Sequence, residues 1–417
     1  MSETKTPAPD ERLKFLTAVR RRKMAASAHA YVRGSTARFY EWVEESTIAV
    51  PEGPPVWICG DCHVGNLGPV GSATGKLAVQ IRDLDQTVIG NPAHDLIRLA
   101  LSLAMAARGS DLPGVTTAHI LEHMIEGYES AFTPGRRDGA EGQDDAEGQD
   151  GAQGLDLPAP KLVRELMREA AGRSWKHLAD ERIEGTEPAI PLGKRFWKLT
   201  SEERQAVDAM FEADAMKALA TVLRDREAGA KVRVLDAAYW RKGCSSLGLL
   251  RCAVLLAVGA GKAERHCLMD VKEAVAAAAP RSKDAEMPRD NAERVVEGAR
   301  HLSPALGGRM QAARLLGTGV FVRELLPQDL KLELEQLSRG EATEMAAYLA
   351  AVVGRAHARQ MNAADRKSWL GTLKSRRSTT LDAPGWLWES VVELVAAHEA
   401  AYLQHCRRFA LKEGLLF

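Results

Sequence analysis

The side chains best suited to chemistry lie between Ile58 and Asp85. Asp61 and Asn66 stand five residues apart in Gly60-Asp61-Cys62-His63-Val64-Gly65-Asn66, and Asp83 and Asp85 close the run Ile81-Arg82-Asp83-Leu84-Asp85. A loop carboxylate can take the proton from a substrate hydroxyl. Hard oxygen ligands from Asn and Asp suit magnesium held against nucleotide phosphates. The set therefore predicts phosphoryl transfer, with Asp61 as base, His63 supporting it, and Asn66, Asp83 and Asp85 as metal ligands.

The surrounding pattern shows what must carry these groups. Leu77 to Arg82 alternates as a strand does, which puts Asp83 and Asp85 at a strand end. Asp95 opens an apolar run to Ala107 that reads as a buried helix, and a second helix is expected from Val115 to Phe132. Residues 11–48 read as helical with a break near Gly34. Helical periodicity returns at 160–171, 202–227, 290–302, 341–361 and 386–412. Between these, period-two runs predict strands at 232–240, 249–258, 265–273 and 319–325.

The later strands bring a second group of candidates. Gly243-Cys244-Ser245-Ser246-Leu247-Gly248 joins two of them, and its small residues would let backbone amides approach phosphates. Lys272 ends an apolar strand and can reach phosphate oxygens as a point charge. Glu297, on the following helix, would orient that lysine. Glu324 and Leu325, at the end of the last strand, are placed to offer backbone contacts to adenine.

Bulk properties set limits. The chain has 417 residues, 45% of them apolar, with 56 basic and 56 acidic side chains and a formal net charge of zero. That balance predicts no broad nucleic-acid footprint, and no apolar run has the length to span a bilayer. Six unevenly spaced cysteines do not form a secreted disulfide framework. With no signal peptide visible, a cytoplasmic location is expected. Gly139–Asp144 and Asp145–Asp150 form a near-perfect repeat within 134–157, too polar to offset its ordering entropy and expected to be a disordered insertion. Cys59-Gly60-Asp61-Cys62-His63 also fits the haem-attachment pattern Cys-x-x-Cys-His, a match read as coincidence because that route requires export.

Taken together, these motifs resemble the protein-kinase-like fold, and aminoglycoside phosphotransferases in particular. Asp61 to Asn66 looks like the catalytic loop, Asp83-Leu84-Asp85 like the magnesium-binding segment, and Asp95 like the buried aspartate that braces the loop. Lys272 and Glu297 resemble the lysine–glutamate pair. A wider resemblance, from about Met24 to Phe409, is to an uncharacterised bacterial family, domain of unknown function 2252. It rests on GDxHxxN, DxD, Lys272-Glu273-Ala274 and Arg355-Ala356-His357-Ala358.

The resemblance implies an α+β, two-lobe fold: a small antiparallel-sheet lobe and a larger, mostly helical lobe. The order is circularly permuted, because Gly243 and Lys272 follow Asp61 instead of preceding it. The expected divisions are 1–133 (helical, with the catalytic and metal-binding segments), 134–157 (insertion), 158–229 (helical insertion or lobe part), 230–327 (nucleotide-binding sheet lobe) and 328–417 (helical). It implies an ATP- and Mg2+-dependent phosphotransferase acting on a hydroxyl of a small-molecule acceptor. Gly243, Ser245, Ser246, Gly248, Lys272, Glu297, Glu324 and Leu325 would then meet the nucleotide. Ser245 stands where the kinase glycine pattern has glycine, which keeps a nucleotide-binding regulator without turnover (a pseudokinase) as the alternative reading. Nucleotidyl transfer on the same fold is a further one.

Overall fold

The computed structural model describes residues 7–110, 112–133, 157–175, 177–178, 188–244, 246–332, 337–375, 377 and 382–409. Ser245, the 134–156 part of the repeat insertion and the last residues of the 386–412 helix lie outside them.

The fold is α+β. Six strands form one antiparallel sheet: β5 (Phe196–Lys198), β6 (Val232–Trp240), β7 (Arg251–Val258), β8 (Arg265–Glu273), β9 (Met310–Leu315) and β10 (Thr318–Glu324). Their order is β5-β6-β7-β8-β10-β9. Alternation along β7 and β8 divides the faces. Val254, Leu256, Cys267, Met269 and Val271 point to one side, where helices Ser201–Phe211, Asp214–Ala220 and Pro9–Ala25 cover them with Val207, Phe211, Met216, Leu219 and Leu16. A buried Arg12–Glu203 pair pins helix Pro9–Ala25 to helix Ser201–Phe211. The opposite side carries Ala253 and Leu255 and, farther along, Asp270 and Lys272.

Two differences from the sequence reading concern this sheet. The expected 202–227 helix is two helices broken at Glu212–Ala213, and with β5 these elements belong to the sheet layer, not to a separate helical block. Thr200 and Glu203 form a capping box that fixes the first helix start. Strand β9 was not expected: Met310-Gln311-Ala312-Ala313-Arg314-Leu315 lacks clean alternation and is held by pairing to β10.

The helical part is built from distant segments. Helix Pro92–Gly109 is buried on nearly every side, which its Leu/Ala/Ile-rich sequence permits, and Asn91 caps it by accepting from Ala93 N at 3.0 Å. Helices Val115–Ser130 and Arg339–Ala358 cross closely at Gly127 and Gly354. A Cβ on Gly127 would lie 2.0 Å from the Ala347 carbonyl oxygen, so neither backbone can yield. Gly127→Ala is expected to cost on the order of 3 kcal/mol, read as a shift in the urea midpoint; an unchanged midpoint would refute the close crossing.

Helix Gly385–Phe409 closes this core. Its buried His398 places Nε2 3.0 Å from Ser35 Oγ, and burial, with Arg98 adding to it, pushes the imidazole down to about 3. The unfolded chain therefore takes this proton first as pH falls below about 6.5, so stability present at pH 7 is lost progressively toward pH 3. Between pH 7 and 5 the wild type should lose roughly 2 kcal/mol more than His398→Gln. Parallel urea titrations at the two pH values measure this difference; equal losses would contradict it.

Two short antiparallel pairs complete the fold. Strand β1 (Val56–Ile58) pairs with β4 (Val88–Gly90), and β2 (Leu67–Gly71) with β3 (Leu77–Ile81). Among the described residues, no helix is long and apolar enough to cross a membrane.

Candidate active site

Strand pairing brings the two acidic segments together. Ile58 lies opposite Val88 and Leu67 opposite Ile81, so the 59–66 loop and the 82–87 loop leave adjacent strand ends. Arg82 N donates to Asn66 O at 2.7 Å, and Thr87 Oγ1 donates to Ile58 O at 2.7 Å. Gly60 makes the first loop possible: its φ is +73°, and a Cβ there would meet the Gln86 carbonyl oxygen at 2.1 Å.

Asp95 braces this loop from the first turn of its helix. It is fully buried and accepts from Cys59 N at 2.7 Å, from Gly60 N at 3.0 Å and from His357 Nε2 at 3.2 Å. His357 Nδ1 then meets Tyr128 OH at 2.9 Å, and Trp369 Nε1 donates to that hydroxyl at 3.2 Å. Burial pushes the Tyr128 phenol well above its ordinary value, so it keeps its proton and donates it to Nδ1. The chain of donors Trp369, Tyr128, His357 ends on the Asp95 carboxylate. From the other side, Tyr40 OH donates to Gly60 O at 2.7 Å.

Asp61 is held by a residue the sequence reading missed. Arg98, on the Asp95 helix and fully buried, donates from Nε to Asp61 Oδ1 at 2.9 Å and from Nη2 to Val32 O at 2.6 Å. The available signal was chemical: Arg98 is the one charged side chain between Leu96 and Ala107, and a buried guanidinium needs a carboxylate. Among the described residues, nothing donates a hydrogen bond to Asp61 Oδ2; His63 Nε2 lies 3.9 Å from it. Burial lowers His63 to about 4 against the pull of Asp61, which keeps the imidazole neutral. Asn66 Nδ2 donates to Asp61 O at 2.9 Å, tying the two ends of the loop.

Lys272 meets the acidic segment from the sheet. Its Nζ lies 3.3 Å from Asp83 Oδ1 and also pairs with Asp85 Oδ2. Lys272 is buried, whereas the Asp83 side chain is 43% exposed and opens to solvent. Burial favours the neutral acid at both carboxylates. At Asp83 the Lys272 charge, the neighbouring Asp85 carboxyl and then Arg323 and Arg251 outweigh it and hold the group low. At Asp85 burial and the Asp83 charge prevail, raising the group to about 7. Arg251 and Asp270 form a buried bidentate pair on the same face of the sheet, at 2.8 and 2.6 Å.

Several expected participants lie elsewhere. Glu297 does not face Lys272; it is on the outer side of helix Asn291–Leu302, paired with Arg300 at 3.1 Å and His301 at 3.2 Å. The inner side presents Arg294, which bonds the carbonyls of Thr87, Asp85 and Val275 and so fastens this helix to the acidic loop by another route. Glu324 gives its carboxylate to Arg226, at 2.7 and 2.6 Å, and its carbonyl to Arg309 at 2.9 Å. The Leu325 amide donates to Leu268 O at 2.9 Å. The Glu324 carboxylate and carbonyl and the Leu325 amide are therefore engaged within the fold.

The 243–248 turn is more closed than its glycines implied. Gly243 has φ +102° and Gly248 φ +105°, as a tight turn requires. Ser246 is buried, Lys23 Nζ donates to Gly243 O at 3.1 Å, and a Cβ on Gly248 would strike Leu13 at 2.9 Å. The first helix thus packs directly on the turn. Cys59, Cys62 and His63 are all buried, and Cys59 Sγ is directed to Asp83 O at 3.6 Å, which leaves no open edge for a porphyrin.

No group of three or more His, Cys, Asp or Glu side chains is assembled as a metal site among the described residues. The oxygen donors nevertheless fit magnesium, which takes one or two protein carboxylates and fills its shell with water and phosphate oxygens. Asp83 opens to solvent, and Asp85 Oδ1 is a buried oxygen without a hydrogen-bond partner.

The chain matches no curated protein and no solved structure. A family model does match it, across residues 12–408 and therefore across every segment that builds the Asp61, Asp83 and Lys272 cluster. The chain belongs to the family described as "Uncharacterized protein conserved in bacteria" (DUF2252).

Proposed function

We propose that this protein is an ATP- and magnesium-dependent phosphotransferase on a circularly permuted, kinase-like two-lobe fold. One observation carries the reading: Lys272 and Asp83, 189 residues apart in sequence, meet at 3.3 Å next to the loop that carries Asp61, where Cys59 Sγ lies 3.6 Å from Asp83 O. In protein kinases the phosphate-binding lysine stands on the third sheet strand, followed by a helix, and meets a metal-binding aspartate across the nucleotide phosphates. Here Lys272 ends the third of three consecutive paired strands, β6-β7-β8, and helix Asn291–Leu302 follows. That agreement of order and contact supports the reading, although the paired glutamate is replaced by other ties.

In this reading each residue has a defined task. Asp61 Oδ1 is fixed by Arg98, so Oδ2 takes the proton as the acceptor hydroxyl attacks the terminal phosphorus and ADP leaves. Neutral His63 fills the loop beside it and holds its shape. Asn66, Asp83 and Asp85 would hold magnesium, which supplies positive charge against the phosphate oxygens. Lys272 would turn from the carboxylates to those oxygens, and the Gly243–Gly248 turn would bound them. Positioning and electrostatics then provide most of the rate enhancement.

The helix packed on the glycine turn favours one second reading, a nucleotide-binding regulator without turnover. ATP labelled separately at the α- and γ-phosphates, incubated with magnesium, protein and bacterial metabolite extract, separates the cases. Transfer of γ-label is expected. Transfer of α-label would indicate nucleotidyl transfer, and binding of ATP with neither label transferred would favour the regulator.

A further inference from the structure

Most buried arginines of this protein have a carboxylate: Arg12 has Glu203, Arg98 has Asp61, Arg251 has Asp270 and Arg309 has Asp329. Arg33, half-buried beside the Asp61 loop, has none; among the described residues it makes no hydrogen bond or ion pair. Its place is defined by Gly65. A Cβ there would lie 3.2 Å from His63 Cε1 and 3.6 Å from Arg33 Nε, so the guanidinium lies against the loop next to His63.

Further cations gather at the same spot. Lys23 uses one hydrogen on Gly243 O and leaves two donors open. The charges of Arg33, Lys23 and Arg20 all act on Cys244 in the glycine turn, and the one carboxylate among the groups acting there is Asp61, already held by Arg98. Burial lowers Lys23, the Cys244 thiol acts against it, and Arg241 and Arg33 lower it further. Among the described residues neither Arg33 nor Lys23 has a carboxylate partner, so the two cations repel one another, and an oxyanion bound to both relieves that repulsion.

We propose that Arg33 and Lys23, at the Gly243 turn, bind an anionic group, phosphate or carboxylate, borne by the acceptor whose hydroxyl meets Asp61. This rests on the phosphotransferase reading and narrows its substrate class to anionic hydroxyl compounds. The nucleotide end of the site is supplied by other cations: those acting on Asp83 are Lys272, Arg323 and Arg251, whereas those acting on His63 are Arg98 and Arg33. Asp61 acts on both His63 and Cys244, the groups that Arg33 also acts on, so the acceptor's hydroxyl and its anionic group would be held on one side of the site. A guanidinium is suited to the acceptor side because its planar fork matches a phosphate or carboxylate edge.

The test is calorimetric titration of the full chain at low ionic strength. Probes are glycerol 3-phosphate, ribose 5-phosphate and gluconate, against neutral glycerol, ribose and glucose; magnesium with AMP-PNP is titrated in parallel. At least one anionic probe should bind where its neutral counterpart does not. Arg33→Gln should weaken it about ten-fold or more, with Arg33→Lys recovering part of the loss and Lys272→Met leaving it intact. AMP-PNP should respond in the opposite pattern. Among the described residues Arg33 has no hydrogen-bond or ion-pair partner to lose, so an unchanged urea midpoint for Arg33→Gln is expected and certifies its fold. Anionic and neutral probes alike failing to bind, or binding equally, would overturn the proposal. So would an Arg33→Gln variant that loses AMP-PNP but not the anion, because the cluster would then serve the nucleotide. If the wild type binds the anion through Arg33 but not AMP-PNP, the phosphotransferase reading fails and the anion site stands.

Discussion

Asp61→Asn is expected to slow transfer of γ-label by about 10^2- to 10^4-fold, the range typical for loss of a positioned proton acceptor. The fold and AMP-PNP binding should be retained. The substitution is nearly isosteric. Its amide oxygen can still accept from Arg98 Nε, which holds Oδ1 at 2.9 Å, so Arg98 keeps a partner. What is lost is the oxygen free of hydrogen bonds, Oδ2, which becomes an amide that cannot take a proton. Asp61→Ala would be a poorer probe, because it strands Arg98 in the interior and mixes stability with chemistry. Filter-binding of labelled product, alongside AMP-PNP titration, gives both readouts. Wild-type transfer rates in Asp61→Asn would remove Asp61 from the chemistry.

The second large effect is on stability. Asp95→Ala should cost roughly 3–5 kcal/mol, as does removal of one partner from a buried charged network. Three donors lose their acceptor at once: Cys59 N, Gly60 N and His357 Nε2. None of them can reach water in place of it, since Cys59 and His357 are fully buried. Asp95→Asn should cost less, because one acceptor oxygen survives, although its NH2 group faces a backbone N–H. Chemical denaturation ranks the three proteins. If Asp95→Ala matched the wild type, the 59–66 loop would have to be held by Tyr40 and the strand ends alone.

Most of this architecture was legible where a residue's own neighbours determine its role. Asp61 with Asn66, and Asp83 with Asp85, share short loops at strand ends, so spacing alone placed each pair, and strand pairing then joins the two loops. Asp95 was legible for the same reason, being a carboxylate at the start of an apolar helix. The strands β6, β7 and β8 are rich in apolar residues over strand-like lengths, and glycine turns separate them. What failed were orientations and distant partners. Glu297 and Arg294 sit three residues apart on one helix, and sequence could not say which faced inward; the buried Val295–Ala299 side takes the arginine because backbone carbonyls are there to receive it. Glu324 looked like an exposed strand end until Arg226, 98 residues earlier, was placed against it. The glycine turn looked open because nothing in 243–248 encodes the helix that packs on it.

The Asp95–His357 contact spans 262 residues and has a consequence for how the protein is made. During translation the 59–66 loop emerges early, followed at once by Asp83, Asp85 and Asp95. The sheet, closed by β9 and β10, is synthesised next and can pair from β5 to β10 without the rest, since its strands are consecutive. The brace is delayed until helix Arg339–Ala358 leaves the ribosome and reaches Tyr128. Closing so long a loop costs conformational entropy that only the finished helical core offsets. A nascent chain that stops short of this helix thus carries every acidic group of the site but lacks the His357 bond that holds their loop, and competence arrives only once Arg339–Ala358 has been made.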